Sequence, residues 1–482
     1  MRPLRTGNRY RRRAFRALLS MLLAAASFGL GQDKEGQLQA DSAAALYASG
    51  RFAEARDLLE LRIARNEAAG STFFWLGYTY LALRERDHAI PHFERYLRED
   101  PANEDVLYAL AKTYAELSQM SLERIFSLAP GSARAFQMRG IRFELEESWR
   151  DAIREFERAA RLDGSIGGLY ATIGRIYSEE LHDEARALAA YRKELARSPH
   201  SGAANTFLER YYTSHNQPAE AARISKNRDS APKPAGDPGM GIALLERRQP
   251  DDSLPYLLRW RKAEPDNPDP YYYLGEAFTD LKVKTIQRLK AANPNSYRLH
   301  QILADNYVSI HKKADAIAEY RKTLEIQPAV SGVRYELARL VADTQLEEAI
   351  PLLKRELEMD PAHYLASTLL GRLYVILRRP DEALPLLETA LRQRPGLLEA
   401  QKALGQAWIG KQDFARALPP LQAVAASEPE DDQIHFLLTQ VWRGLGKPDE
   451  AAKEMQLHQQ ILRRLAESGG DLGDTKVSSP AP

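Results

Sequence analysis

The chain has 482 residues, of which 44% are hydrophobic and 28% are charged, and it contains no cysteine. That share of apolar residues suits a large folded body and excludes disorder along the whole chain. The absence of cysteine excludes disulfides, thiol catalysis, zinc–thiolate sites and a cysteine-linked lipid anchor.

The N-terminal segment, 1–31, predicts an export signal. Seven Arg precede Ala17, no acidic residue precedes Asp33, and an apolar run of 14 residues extends from Ala17 to Leu30. A basic region followed by a short apolar region with small residues at its end is typical of a signal peptide, with cleavage near residues 24–26 or 29–31. A membrane span needs about 20 residues, so an uncleaved inner-membrane anchor is the alternative.

The route and the destination follow from the same segment. The letters "RRAF" from Arg12 to Phe15 resemble part of a twin-arginine signal, and a general secretory signal is the other route. A mitochondrial presequence is also Arg-rich, but the uninterrupted apolar run argues against it. Without the seven Arg, 60 basic residues face 66 acidic ones, a net charge of −6. We therefore expect an exported protein, periplasmic or extracellular, with no attraction for nucleic acid.

A period of about 34 residues organises the chain from about Gly36 onward. Within each unit the apolar positions have helical spacing and form two runs separated by a turn. Small, aromatic and proline positions keep the period, as in Gly371, Tyr374, Ala383 and Pro395, which recur as Gly405, Trp408, Ala417 and Pro429. Small residues let two helices approach closely, and a proline ends the second helix. An ordinary helical bundle would have no reason to keep a fixed period.

This pattern resembles that of the tetratricopeptide repeat (TPR) family over about residues 36–467. The resemblance implies an all-α fold, a right-handed α-solenoid of tandem helix–turn–helix repeats with about a dozen units in two blocks. Stability is then expected to come from contacts between neighbouring units.

The two blocks are predicted from an internal alignment. Residues 110–137 align without gaps with residues 274–301, at an offset of 164. Both units are shorter than the others and lack the usual turn, which predicts duplication of a multi-repeat block with altered curvature at the same place in each half. Two independent deletions are the alternative.

The predicted domains follow this division. An N-terminal array covers 36–215, a flexible linker rich in Pro, Gly and charge covers 216–239, and a C-terminal array covers 240–467. That array is expected to end in a capping helix with a polar outer face. Residues 468–482 are predicted to be a disordered tail.

We find no sequence sign of a catalytic, cofactor or metal site. His88 and His92 have a spacing that suits a metal, but Ala89 stands where a metalloprotease helix needs Glu. The letters "GMG" at Gly239–Gly241 lack the third glycine of a dinucleotide loop. No Gly-x-Ser-x-Gly or Walker sequence occurs. The chain is therefore predicted not to be an enzyme.

The resemblance places the partner-binding groove on the first helix of each unit. The groove positions near the N-terminus carry Tyr47, Phe74, Tyr78, Leu81 and Tyr108, and those near the C-terminus carry Arg372, Lys402, Gln406, Gln440 and Arg443. The apolar set predicts an exposed patch that binds a partner, unless these side chains bury one another or the segment near Gln32–Gln39 covers them. Chaperone-binding members of the family clamp a terminal carboxylate with Lys and Asn, but Gln406 stands in place of that Asn.

The sequence as a whole predicts a non-catalytic protein–protein interaction scaffold of the cell envelope that binds peptides or proteins. The alternative is an accessory subunit of an envelope enzyme or of a secretion or polysaccharide assembly machinery. An intracellular regulator is a third interpretation, which cleavage of the N-terminus would exclude. Contact with a membrane is expected only through an uncleaved N-terminal segment.

Overall fold

The computed structural model describes residues 42–228 and 236–469, and over these residues every regular element is helical. The predicted all-α fold of tandem helix–turn–helix pairs is confirmed. The predicted export signal lies outside the described residues, as does nearly all of the predicted tail. Among the described residues, no helix combines the length and apolarity that a membrane crossing requires.

The helices of the first half run from residue 42 to residue 228. They are α1 (42–48), α2 (Phe52–Ala64), α3 (Gly70–Ala82), α4 (Arg86–Tyr96), α5 (Glu104–Leu128), α6 (Ala133–Leu145), α7 (Trp149–Leu162), α8 (Leu169–Arg175), α9 (Glu184–Arg197), α10 (Gly202–Ser214) and α11 (Pro218–Arg228). A π-helical turn, Ile176–Glu180, extends α8.

The helices of the second half begin at residue 236. They are α12 (Gly236–Glu246), α13 (Pro250–Ala263), α14 (Pro268–Ala292), α15 (Tyr297–Ser309), α16 (Lys313–Ile326), α17 (Val333–Val341), α18 (Leu346–Met359), α19 (Tyr364–Ile376), α20 (Pro380–Gln393), α21 (Leu398–Gly410), α22 (Phe414–Ser427), α23 (Asp432–Gly444) and α24 (Pro448–Gly469).

Small residues set the distance between the two helices of a pair. A Cβ atom added to Gly371 on α19 would lie 2.7 Å from the Cγ and Cδ2 atoms of Leu387 on α20. Ala383 and Ala390, on the same face of α20, have no exposed surface. Side-chain size limits how closely helices pack, so the periodic glycine is a packing contact, as the sequence pattern indicated.

The helix bounds of the first half of the chain recur in the second half. Helices α5, α6 and α7 have bounds that recur at an offset of 164 in α14, α15 and α16, and the bounds of α9 and α10 recur at an offset of 162 in α18 and α19. The π-helical turn after α8 lies where the offset changes. We call residues 70–228 the first block and residues 236–393 the second block.

The shortened units lack the usual turn, since α5 and α14 are each one continuous helix of 25 residues. One sequence prediction needs correction. The segment 216–239, predicted to be a flexible linker, contains α11 and the start of α12. Helix α11 forms because Ile224, 4% exposed, packs in a cluster with Leu208 and Tyr212 of α10.

The described residues divide into two compact units, one of residues 42–79 and 303–469 and one of residues 80–302. In the first unit, the last helix α24 packs on α23, where His435 Nδ1 and Glu454 Oε2 are 2.7 Å apart. Its outer face is less polar than predicted, because Leu457, Leu462 and Leu465 are 42%, 43% and 56% exposed.

Candidate functional site

An open groove lies between α8 and α10 in the unit of residues 80–302. It has a volume of about 550 Å³. Its lining consists of Gly168, Ala171, Thr172, Arg175, Ser178, Glu179, Tyr191, Ser201, Gly202, Ala203, Thr206, Phe207 and Arg210. Helices α8 and α10 are first helices of successive pairs, the elements on which the family resemblance placed partner binding.

Small side chains keep this groove open in the first block. Ala171 and Gly202 line it, whereas the equivalent positions in the second block carry Tyr335 and Tyr364. The ring of Tyr335 lies 4.9 Å from the ring of His363, which is the equivalent of Ser201. A tyrosine therefore occupies the space in the second block that stays empty in the first.

A buried carboxylate fixes the wall formed by α8. Glu194 on α9 is 2% exposed, and it accepts hydrogen bonds from the backbone N–H groups of Gly168 at 2.7 Å, Tyr170 at 3.1 Å and Ala171 at 3.3 Å. These are N–H groups that the first turn of a helix leaves without partners. Gly168, with φ of 84°, supplies the left-handed conformation from which the helix starts. The start of α8 is therefore held in place from the neighbouring helix.

Two guanidinium groups of the groove differ in their partners. Arg175 donates a hydrogen bond to Glu144 and lies 3.6 Å from a carboxylate oxygen of Glu179. Burial raises the pKa of the Glu144 carboxyl, against the opposing effect of the Arg175 charge. Arg210 is exposed and forms no ion pair with any residue that the structure describes. Arg210 is therefore the better placed of the two to meet a ligand carboxylate.

Aromatic rings form the floor of the groove. Tyr191 and Phe207 stack with their ring centroids 4.1 Å apart, and Phe207 is half-buried. Burial raises the pKa of the Tyr191 hydroxyl, so this group is neutral at physiological pH. An apolar ligand side chain could lie against Phe207 while a carboxylate meets Arg210.

A second cavity of about 570 Å³ lies beside α13 in the same unit. Two of its cations already have carboxylate partners, since Arg259 pairs with Asp237 at 3.0 Å and Arg261 with Asp87 at 3.5 Å. It is therefore a weaker candidate for binding an anionic ligand than the groove between α8 and α10.

Of the five apolar residues predicted near the N-terminus, three lie in the unit that contains residues 42–79. Tyr47 and Phe74 are each 8% exposed and pack against Trp75, with ring centroids at 5.6 and 5.3 Å. Tyr78 is half-buried beside Phe74, with centroids 4.9 Å apart. The burial of Tyr47 and Phe74 corresponds to the alternative that these side chains bury one another.

The other two residues of that set lie in the unit of residues 80–302. Leu81 and Tyr108 are both half-buried. The guanidinium of Arg298 lies 4.9 Å from the centroid of the Tyr108 ring. This ring therefore contributes to packing inside its own unit.

The five polar residues predicted near the C-terminus lie on α19, α21 and α23, the first helices of three successive pairs. Lys402 Nζ donates to Asp431 at 2.8 Å and to Gln433 at 3.2 Å, and Arg372 lies 3.9 Å from Glu399. Gln406 and Gln440 are half-buried and Arg443 is exposed. The charge of Lys402 is thus neutralised within the chain.

The sequence analysis did not predict this groove, although the repeat pattern could have indicated one of its residues, Arg175. Arg175 follows Gly174, which lies one repeat period after Gly140 and is therefore a small position of the repeat. Arg210 is the equivalent of the predicted groove residue Arg372, at an offset of 162. The sequence did not reveal Arg210 as a groove residue, because Glu209 stands at the position where other units carry the small repeat residue that precedes a groove position.

The described residues contain no group of three or more His, Asp or Glu side chains arranged to hold a metal ion. His88 and His92 both lie against the ring of Tyr80, with centroids 5.4 Å from it in each case. This stacking accounts for their spacing.

Models of the tetratricopeptide repeat match residues 340–409, 374–440, 40–104 and 239–285. Together with the tandem helix pairs, these matches show that the chain contains tetratricopeptide repeats. Tetratricopeptide repeat protein 37 from Xenopus laevis is 25% identical over 306 residues, which cover 57% of this chain and 19% of that protein. The chain therefore spans about a fifth of the length of this relative.

Solved structures of repeat proteins are also similar over part of the chain. YrrB, described as a TPR protein with an unusual peptide-binding site, is 19% identical with a TM-score of 0.34, covering 39% of this chain and 98% of its own. MamA from Desulfovibrio magneticus RS-1 is 18% identical with a TM-score of 0.33, covering 35% of this chain and 96% of its own.

Proposed function

We propose that the chain is a non-catalytic scaffold of the cell envelope that binds peptide segments of partner proteins, and that the groove between α8 and α10 is a binding site. The tetratricopeptide repeats support a role in protein–protein interaction. The observation that carries the choice of site is the open space beside Ala171 and Gly202, where the equivalent residues of the second block are tyrosines.

The lining of the groove defines the ligand that it suits. The exposed Arg210 favours a carboxylate, which a guanidinium can hold with two parallel hydrogen bonds. Phe207 offers half-buried apolar surface for an aliphatic or aromatic side chain. A peptide with an acidic residue near an apolar one matches both features.

The direct test is selection from a random peptide library displayed on phage, with the full chain as bait. Ala171→Tyr should abolish binding of the selected peptides, because it introduces the side chain that occupies the equivalent space in the second block. Ala189→Tyr is the matched control, since Ala189 is exposed on α9 outside the groove. Arg210→Glu should weaken the binding of acidic peptides by at least about tenfold in Kd, or 1.4 kcal/mol.

Two outcomes would argue against this site. Selected peptides that bind Ala171→Tyr and Ala189→Tyr equally well would place binding elsewhere, with the surface of Arg372, Gln406 and Arg443 tested next. A library that yields no binder for the folded chain would contradict peptide recognition itself.

The cellular part of the proposal is supported by the basic and apolar N-terminal segment. We expect the mature chain to begin between Ala26 and Lys34, and N-terminal sequencing of protein from the native host measures this. An intact Met1 on soluble cytoplasmic protein would contradict export. Replacing Arg12 and Arg13 by Lys should block export through a twin-arginine route and leave a general secretory route working, because the charge is kept.

A further inference from the structure

The two long helices of the duplicated blocks pack against each other inside the unit of residues 80–302. Tyr114 of α5 and Phe278 of α14 stack with ring centroids 6.2 Å apart, and these residues are equivalents, 164 positions apart. Ser118 donates a hydrogen bond to the Gly275 carbonyl oxygen at 2.9 Å. The helices run antiparallel, since the start of each meets the end of the other, and equivalent residues meet at the centre. The pair therefore has local twofold symmetry.

A buried arginine closes one end of the pair. Arg134, whose side chain is 4% exposed, donates from Nε to Asp269 at 2.7 Å. Its guanidinium lies 4.4 Å from the ring centroid of Tyr272 and donates to the hydroxyl of Tyr273 at 3.1 Å. Gln137 accepts a further hydrogen bond from Arg134 at 2.8 Å. We call this arrangement the first socket.

The equivalent residues close the other end in the same way. Arg298 donates from Nε to Asp105 at 2.7 Å, lies 4.9 Å from the ring centroid of Tyr108 and donates to Gln301 at 2.9 Å. Each of these four residues stands 164 positions from its counterpart in the first socket. This second socket thus repeats the first with the blocks exchanged.

Each block carries both halves of a socket. The first block supplies Arg134 with Gln137 to one socket and Asp105 with Tyr108 to the other. A surface that presents both the donor and the acceptor half is self-complementary, which is the property of an isologous interface between two identical chains. A second chain therefore offers each block the same partner that it meets within its own chain.

We propose that this interface is exchangeable and that the partner it fits is a second copy of this chain. In the exchanged dimer, α5 of each chain pairs with α14 of the other, so both sockets form twice. The contacts are the same as in the closed monomer, so the balance between monomer and dimer depends on the protein concentration. A tether gives an effective concentration in the millimolar range, so exchange is favoured when blocks separate and pair again at high protein concentration.

The test uses two full-length chains with one cysteine each, because the natural chain has none. Ser118 Oγ and Thr279 Oγ1 are 2.9 Å apart across the pair. The variants Ser118→Cys and Thr279→Cys are mixed, opened in urea, refolded together at low and high concentration, and oxidised. A disulfide between the two variants requires α5 of one chain to meet α14 of the other.

We expect a covalent heterodimer on non-reducing gels whose fraction rises at least about tenfold between micromolar and near-millimolar protein. Each variant refolded alone gives the background, and the chain with both cysteines gives the intramolecular disulfide that shows the pair has formed. A mixture that stays at background at every concentration, while the double variant closes its disulfide, would overturn the proposal.

A charge exchange tests the sockets themselves. Arg134→Asp alone places two carboxylates in the first socket of a monomer, and Asp269→Arg alone places two guanidiniums there. In an exchanged dimer of the two variants, every first socket again holds one Arg and one Asp. We expect the mixture to give a 1:1 dimer by light scattering at micromolar protein, well below the effective concentration of the tether, whereas the chain carrying both substitutions pairs within itself and stays monomeric at that concentration. Monomers in the mixture would contradict exchange through this surface.

Discussion

The backbone N–H of Gly168 donates to the buried carboxylate of Glu194 at 2.7 Å, and the second block repeats this relationship between Gly332 and Glu356 at the same distance. In both blocks a carboxylate on the second helix of a pair fixes the start of that pair's first helix. In the first block that helix forms a wall of the groove.

We expect Glu194→Gln to loosen this wall. The amide keeps the shape but loses the charge, and it turns one acceptor into a donor that faces backbone N–H groups. Loss of hydrogen bonds to a charged group should lower the free energy of unfolding by about 1.5–3 kcal/mol. Urea unfolding measures this loss, and hydrogen exchange should be faster at Tyr170 and Ala171. Glu184→Gln, at an exposed position of the same helix, is the control, and an equal effect there would contradict the role of Glu194.

Gly371 provides a test of the helix spacing. Gly371→Ala should cost about 1–3 kcal/mol, because the added Cβ would lie 2.7 Å from Leu387. Gly396→Ala should cost much less, since nothing lies within 4 Å of its Cβ position. Thermal unfolding followed by circular dichroism compares the two variants. Equal destabilisation would mean that the close helix contact is not what selects glycine.

The ion pair of Lys402 and Asp431 should make stability depend on pH. Burial alone would raise the pKa of the Asp431 carboxyl, but the hydrogen bond and charge of Lys402 hold that pKa below its ordinary value. A carboxyl with a pKa lowered by folding stabilises the protein above its unfolded pKa, and this contribution is lost as the pH falls through the folded pKa.

Lys402→Met should therefore lower the free energy of unfolding by about 0.5–1 kcal/mol at neutral pH, the range for a partly exposed ion pair. The difference from the natural chain should shrink as the pH falls below the ordinary range of an aspartate, and disappear below the lowered pKa of the folded Asp431 carboxyl, where it is protonated in both states. Urea unfolding across this pH range measures it. A difference that stays constant would assign the effect to packing of the lysine stem.

Phe74 should behave as a core residue. Because its ring is 8% exposed, Phe74→Ala should cost about 3–5 kcal/mol, whereas Tyr78→Ala, at a half-buried position, should cost less. Urea unfolding of both variants makes the comparison. If Phe74→Ala kept full stability and lost a binding partner, the predicted exposed patch at this end of the chain would be supported instead.

The period of the sequence was sufficient to predict the helix pairs, because a small residue such as Gly371 has only one structural role at its position. It was not sufficient for the shortened units. The missing turn in residues 110–128 was visible, but the pairing of α5 with α14 depends on contacts between distant positions, such as Ser118 and Gly275. Periodicity reports local packing and carries no information about such contacts.

The site was less predictable than the fold. Groove positions taken from the family depend on a small residue that marks the register of each first helix, and Glu209 replaces that residue in α10. The opening of the groove also depends on side chains that are small, since Ala171 and Gly202 are notable only beside Tyr335 and Tyr364. Comparing the two blocks residue by residue could have found it before the structure did.

The pairing of α5 with α14 has a consequence for the time at which the chain can finish folding. Helix pairs along the repeat form from local contacts as they are made, but α5 must wait until α14, at an offset of 164 along the chain, has been synthesised. At about 5–20 residues per second this delay is about 10–30 s. During that interval the first block displays Tyr114 and half of each socket without their partners. Where several ribosomes translate one messenger RNA, the nearest α14 that can pair with this surface belongs to a neighbouring nascent chain.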